Sequence, residues 1–399
     1  MKEKNYSSTI GACFIGYVVQ AIVVNFAPLL FVTFQRSYGI GLTEISFLIV
    51  LLFGVQLFVD WGSAFIVGCV GYRRSAVLGQ FFAATGLILL AVLPEIMPDP
   101  YVGLLISATV YAIGSGLIEV IISPIVENCP TKRKAAMMSL LHSFYCWGQL
   151  FTVLVSTVCF VLLGIENWRW VALLWAVVPI VDGILFCFVP MPDNAEAETE
   201  SIGMGALVKK KRFWLLALIM LCGGASELCI SQWASAFAQM GLGVDKTLGD
   251  LMGPCMFAAF MGTARVLYAK IGHKMNIQNA MILCGGLCAG SYLLAALAPI
   301  PALGLAGCAL AGFAVGIFWP CALSMGAGGI KNGGMVIFAL LALFGDAGCT
   351  VGPLLVGTVS DAFGGELSAG ILTALVFPVL LIIGVLLFKR DLKKNGKKV

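Results

Sequence analysis

The sequence predicts an all-α polytopic membrane protein, with twelve transmembrane helices in two pseudo-symmetric six-helix bundles. Three observations predict it. Of 399 residues, 60% are hydrophobic and only 11% are charged, against about 25% charged in soluble domains. The apolar residues gather into twelve runs, each long enough for the roughly 20 residues that cross a hydrocarbon core. The basic residues alternate between the intervening loops as an even number of spans requires.

Turn residues and charges place the runs near 9–34, 45–69, 76–94, 102–126, 136–163, 168–189, 212–237, 248–271, 278–298, 302–326, 333–360 and 367–388. The first is not read as a signal peptide, because it exceeds the short apolar core of one and continues through Asn25 and Pro28. Assigning the termini and the even-numbered loops to one face gives that face 20 of the 24 basic residues, with Arg36, Arg169 and Lys246 opposite and Arg265 inside a run. One helix more or fewer would scramble that bias. Basic loops stay in the cytoplasm, so both termini are expected to be cytoplasmic, in a membrane of the bacterial inner-membrane type. Trp168, Trp170 and Trp214 stand at run ends, where indoles anchor at the interface.

The long polar segment PMPDNAEAETESIGMGALVKKKR divides the runs six and six. The expected organisation is an N-terminal bundle over 1–190, a cytoplasmic linker over 191–211, and a C-terminal bundle with a short basic tail over 212–399. The halves echo each other at an offset of about 200: Gly116 with Gly316, Leu140 and Leu141 with Leu340 and Leu341, Gly148 with Gly348. A duplicated six-helix unit explains the shared offset, and secondary transporters are built on such repeats.

Several function classes are disfavoured. A net charge of +4 is too small to suggest nucleic acid. The fourteen cysteines scatter through apolar runs with no CxxC pair, and Cys284 and Cys288, four apart on one helix, read as packing. Two histidines, no HExxH, no nucleophile elbow and no phosphate loop leave an enzyme, a metal site or a cofactor without support.

With twelve runs and a duplicated half, the chain resembles the major facilitator superfamily of transporters, whose two bundles surround a central cavity. That family's loop signature, G-x-x-x-D-R-x-G-R-R, survives as GYRRS after Gly68, and its second-half counterpart keeps Arg265, Lys270 and Gly272. A narrower match is GSGLIEVIISPIVENCPTKRKAAMMSLLHSFYCWGQ, similar to the fucose permease and related sugar:proton symporters in Glu119, Pro124 and His142. The resemblance implies Glu119 as a proton-coupling or sugar-binding carboxylate. Asn25 stands in the neighbourhood where those permeases carry an Asp, which makes it a substrate-binding candidate.

Ionisable groups inside spans cost roughly 2.5–3.5 kcal/mol on insertion scales and so face an interior. Asp60, Glu119, Asp182, Glu227, Asp346, Arg265 and His142 are the ones noted. Tyr111, Ser115, Glu119 and Ser123 recur every four residues and share one helix face, which can line water or form a polar seam. His142, Tyr145, Gln149, Thr152 and Ser156 form a second stripe. Tyr145 and Gln149 are expected to touch substrate, while His142 serves either proton transfer or loop anchoring. Glu227 precedes Trp233, and carboxylate beside indole suits a sugar. Trp319 next to Pro320 is a further wall, with packing the alternative for both indoles. Glu227 and Asp346 follow Glu119 as proton-coupling candidates. Asp346 can instead pair with Arg265 as a gate, to which Asp60 and His142 are also assigned. Asp182 is expected to be structural. Asn25 to Pro28, Pro124, Pro254, Pro320 and Pro353 are expected to interrupt their spans, with Pro179 and Pro378 as exceptions to the pattern.

The expected function is proton-coupled uptake of a sugar or similar neutral polar molecule by a monomer in the bilayer, using alternating access. Five intramembrane acids against one Arg leave little to clamp an anionic substrate. Proton-driven efflux of a hydrophobic or cationic compound is the alternative. The Gly-x-x-x-Gly-Pro run associated with antiporters is missing from CWGQLFTVL and only partly present between Gly348 and Pro353. A nontransporting receptor on the same fold remains a third reading.

Overall fold

The computed structural model describes residues 6–130, 134–192, 204–272, 275–330 and 334–394. Among the described residues there is no β-strand, and twelve helices are long and apolar enough to cross a membrane. They are α1 (Ser7–Tyr38), α2 (Leu42–Gly62), α3 (Tyr72–Ile96), α4 (Pro100–Asn128), α5 (Leu140–Leu163), α6 (Ile165–Phe188), α7 (Lys211–Gly241), α8 (Lys246–Ile271), α9 (Ile277–Leu297), α10 (Pro301–Gly326), α11 (Ala339–Ala362) and α12 (Leu367–Lys394). One helix meets each expected run. Lys2, Lys4, Lys132, Arg133, Lys274, Lys331, Lys397, Lys398 and residues 193–203 of the expected linker lie outside the described residues.

The chain forms two compact units, Met1–Glu196 and Ala197–Val399. In the first, α1 packs on α4, α5 and α6, while α2 packs on α4, and α3 packs on both α4 and α6. In the second, α7 packs on α10, α11 and α12, while α8 packs on α10, and α9 packs on both α10 and α12. Adding six to every helix number of the first unit reproduces the second. The echoed glycines serve this shared scheme, since lipid supplies little drive for helix association and small residues let backbones approach. A Cβ at Gly116 would lie 3.0 Å from Val59 on α2, and one at Gly316 would lie 2.9 Å from Ala264 on α8. A Cβ at Gly148 would lie 2.9 Å from Ala21 on α1, and one at Gly348 would overlap the Leu221 carbonyl oxygen on α7.

Local chemistry closes the helix ends, whose first amides and last carbonyls have no partner inside the helix. Asp99 caps α4 by accepting from the Tyr101 amide at 2.9 Å, with Pro100 at the first position, where no amide hydrogen is needed. Arg73, at the start of α3, donates to the carbonyls of Phe186, Cys187 and Val189 at 2.7–2.8 Å and so finishes α6.

Five spans are interrupted. α1 tightens to a 3-10 turn at Ala27–Leu30, and α8 widens to a π turn at Leu251–Cys255; each holds a proline, Pro28 and Pro254. α7 breaks after Ser231 and ends in a π turn at Phe237–Gly241, while α10 breaks between Val315 and Phe318, and α12 between Thr373 and Val376. The expected interruptions at Pro124 and Pro353 do not occur, because α4 and α11 run through them. A single missing amide is absorbed in a long helix held on several sides. Pro320 is the third residue of the second α10 segment and cannot donate to the Gly316 carbonyl four residues before it, so the expected interruption falls just ahead of this proline.

Candidate substrate and proton site

The first unit assembles its polar groups where α1, α2 and α4 meet. Glu119, half-buried on α4, accepts from Gln20 Nε2 of α1 at 2.6 Å, and from Gln56 Nε2 of α2 on the same oxygen, Oε2. Ser115, one turn before Glu119, donates to Gln56 Oε1 at 3.4 Å. Asp60 stands one turn beyond Gln56 on α2 and interacts repulsively with the Glu119 carboxylate. One turn after Glu119, Ser123 Oγ lies 2.9 Å from Tyr17 OH of α1. The expected α4 stripe is therefore a hydrogen-bonded seam whose carboxylate remains partly open. Charge-assisted bonds of this kind are the stronger class. Holding one carboxylate oxygen with two amides fixes its position while leaving the group able to gain or lose a proton.

The other first-unit candidates lie around this seam. The Asn25 amide turns back on its own helix and donates to the Ala21 carbonyl at 2.9 Å. His142 is exposed, with the Tyr17 ring edge-on at 5.3 Å. Tyr145 is half-buried and Gln149 buried on α5. The α5 stripe ends away from α4: Thr152 bonds the Gly148 carbonyl, and Ser156 accepts from the Trp175 indole of α6 at 2.9 Å.

In the second unit Glu227 is buried on α7, and its Oε2 has no hydrogen-bond partner. Arg265 of α8 is near enough to attract Glu227, and its Nε donates to the Gly316 carbonyl at 3.2 Å. That carbonyl lies in the interruption of α10, so Arg265 supplies a hydrogen bond where the helix ladder lapses. Trp233 is wholly buried, and its indole donates to the Pro353 carbonyl of α11 at 3.1 Å. The Trp319 ring covers Gly345, the neighbour of buried Asp346. Tyr292 of α9 donates to the Ser226 carbonyl at 2.7 Å.

Three further polar residues gather at the α7–α8 turn. Asp250, with nothing exposed, accepts from Ser235 Oγ at 2.5 Å and pairs with Lys246 at 2.6 Å. Asp250, just inside the expected run 248–271, adds a buried acid with its own lysine to the groups noted from the sequence. Gln20 and Gln56 are not among the residues the sequence singles out, although each is an isolated amide in a mostly apolar stretch, IGYVVQAIVV and LLFGVQLFVD, which is the signal that marks them. Among the described residues no group of three or more His, Cys, Asp or Glu could hold a metal ion.

A family pattern described as Major Facilitator Superfamily matches residues 13–337. No curated protein matches the sequence. Among solved structures the chain is similar to the E. coli fucose:proton symporter FucP, at 14% identity and a TM-score of 0.65 over 96% of this chain and 99% of that one. It is also similar to a bacterial homologue of the human lysosomal transporter Spinster, crystallised inward-facing and occupied, at 14% identity and a TM-score of 0.74 over 97% and 98%. Identities this low establish a shared fold.

Proposed function

The chain belongs to the Major Facilitator Superfamily, and from that premise we propose that it is a proton-coupled symporter for a sugar or similar neutral polyol. The observation that carries the reading is Glu119, a titratable carboxylate fixed by the Gln20 and Gln56 amides beside Asp60. Desolvation favours the neutral form of a carboxyl group and hydration the charged form, so alternating exposure of Glu119 would let it take a proton from one side and release it to the other. The neighbouring groups, amides and the hydroxyls of Ser115, Ser123 and Tyr17, suit a ligand that both donates and accepts hydrogen bonds. The cations Arg265 and Lys246 are engaged with Gly316 and Asp250, which supports a neutral over an anionic substrate. The fold shared with a fucose:proton symporter agrees with this reading.

In the same proposal Glu227 and Asp346 are the next coupling candidates, with Tyr145, Gln149 and Trp319 as substrate contacts. The transporter is a monomer with both termini in the cytoplasm. The test is uptake into proteoliposomes under an imposed pH gradient, with a panel of neutral sugars and polyols. The wild type should accumulate one of them. Glu119→Gln should lose accumulation yet retain substrate exchange, because it keeps the shape and hydrogen bonding but cannot titrate. Full accumulation by Glu119→Gln would refute the assignment, and substrate extrusion against the gradient would establish the efflux reading instead.

A further inference from the structure

α6 carries Asp182 into the interior of the first unit, where none of it is exposed. Its Oδ2 accepts from Gln80 Nε2 of α3 at 2.7 Å. Its Oδ1 has no hydrogen-bond partner, and neither has Oε1 of Gln80, which is buried as well. α1 closes the site with Gly16: a Cβ there would lie 3.4 Å from Gln80 Nε2, 3.5 Å from Asp182 Oδ2 and in overlap with Ile122 of α4. The backbone of α1 is therefore the roof of the site. Among the described residues the titratable groups near enough to interact are thiols, Cys13 of α1 with Asp182 and Cys129 beyond α4 with Cys13. Among the described residues no cation forms an ion pair with Asp182.

An ionised carboxylate can accept about four hydrogen bonds, and one buried with a single donor and no counter-charge is costly. Two buried acceptor atoms, Asp182 Oδ1 and Gln80 Oε1, both lack a donor. What this junction is short of is a hydrogen. Two such oxygens are too few to replace the six to eight ligands of a hard metal ion such as calcium, whereas one proton on the carboxyl removes the charge and turns an acceptor into a donor.

We propose that Asp182 is a second proton-binding site of the first unit, sealed between α1, α3 and α6 and distinct from Glu119. Binding adds one proton to the carboxylate to give the carboxylic acid, and no other bond changes. The two carboxyl groups meet the same helix one turn apart, at Gly16 for Asp182 and at Gln20 for Glu119. The inference does not depend on the identity of the substrate or on coupling through Glu119.

Infrared spectroscopy of the purified full-length protein tests it without any transport assay, by the carbonyl stretch of a protonated carboxylic acid and its shift in deuterated water. At neutral pH the wild type and Glu119→Gln should both show a buried acid band that Asp182→Asn lacks. Unfolding at the same pH should release one proton more from the wild type than from Asp182→Asn. Should Asp182→Asn fail to fold, Gln80→Leu keeps the carboxyl while removing its partner, and should shift the band to higher frequency. A spectrum unchanged by Asp182→Asn, or by Gln80→Leu in its place, overturns the proposal. Loss of the band when sodium replaces a bulky cation in the buffer also overturns it, since the site would then hold a metal ion.

Discussion

Glu119 depends on what its neighbours donate. Gln20 and Gln56 both place amide hydrogens on Oε2, and a hydrogen bond to a charged group contributes about 1.5–3 kcal/mol. Gln20→Leu and Gln56→Leu should each reduce initial uptake, by roughly tenfold to a hundredfold if that energy is lost in the rate-limiting step. Surface abundance should fall much less. Uptake at the wild-type rate from both variants would make the clamp incidental. Trp233 shows the opposite situation: a wholly buried ring with its N–H held by Pro353 gains its place from packing between α7 and α11. Trp319 is only half-buried, which leaves it the more accessible of the two indoles.

Helix pairs set the next scale, and two contacts make measurable claims. The α7–α8 turn rests on buried Asp250, held by the half-buried Lys246 and by buried Ser235. Removing one partner of a buried pair typically costs 3–5 kcal/mol, because the other charge is stranded, whereas replacing both by apolar groups is often neutral. Lys246→Met should accordingly lower the melting temperature in detergent, and Lys246→Met with Asp250→Leu should recover much of the loss. Additive losses would show that the two residues act independently. The α7–α11 contact depends on Gly348, where a Cβ would overlap the Leu221 carbonyl oxygen. Backbone cannot move aside as a flexible side chain can, so Gly348→Ala should destabilise by about 1–3 kcal/mol. Gly286→Ala on α9, with nothing within 4 Å, is the control and should not lower the melting temperature, since Ala is the better helix former.

At the scale of the whole molecule, the duplicated packing scheme and the charge bias address orientation. With 20 of 24 basic residues on the face of the even-numbered loops and the termini, insertion with that face in the cytoplasm is the expected topology. Single cysteines introduced at Asp99 and Lys209 into a variant lacking the fourteen native cysteines would report it. A membrane-impermeant thiol reagent should label position 99 in intact cells and position 209 only after permeabilisation. The reverse pattern would invert the proposed orientation.

The span count, the repeat and the identity of most intramembrane acids were legible in the sequence because each is a one-dimensional property. A bilayer demands about 20 apolar residues per crossing, a duplication leaves glycines at a constant offset, and a charge in an apolar run stands out. The function of the repeated glycines came from the structure, in which Gly116 and Gly316 admit equivalent neighbours on α2 and α8. What meets what required the tertiary structure. Nothing in the order of residues says that Gln20 and Gln56 converge on one oxygen of Glu119, that the Asn25 amide turns back to Ala21, that Arg265 serves the interruption in α10, or that Asp182 faces Gln80 with an oxygen to spare. Apolar periodicity fixes a helix and hydropathy its passage through the membrane, but hydrogen bonds between spans join residues at separations as different as 15 positions, Ser235 and Asp250, and 120, Trp233 and Pro353. The rotation of each helix about its axis, set by packing against its neighbours, decides which of them come within reach.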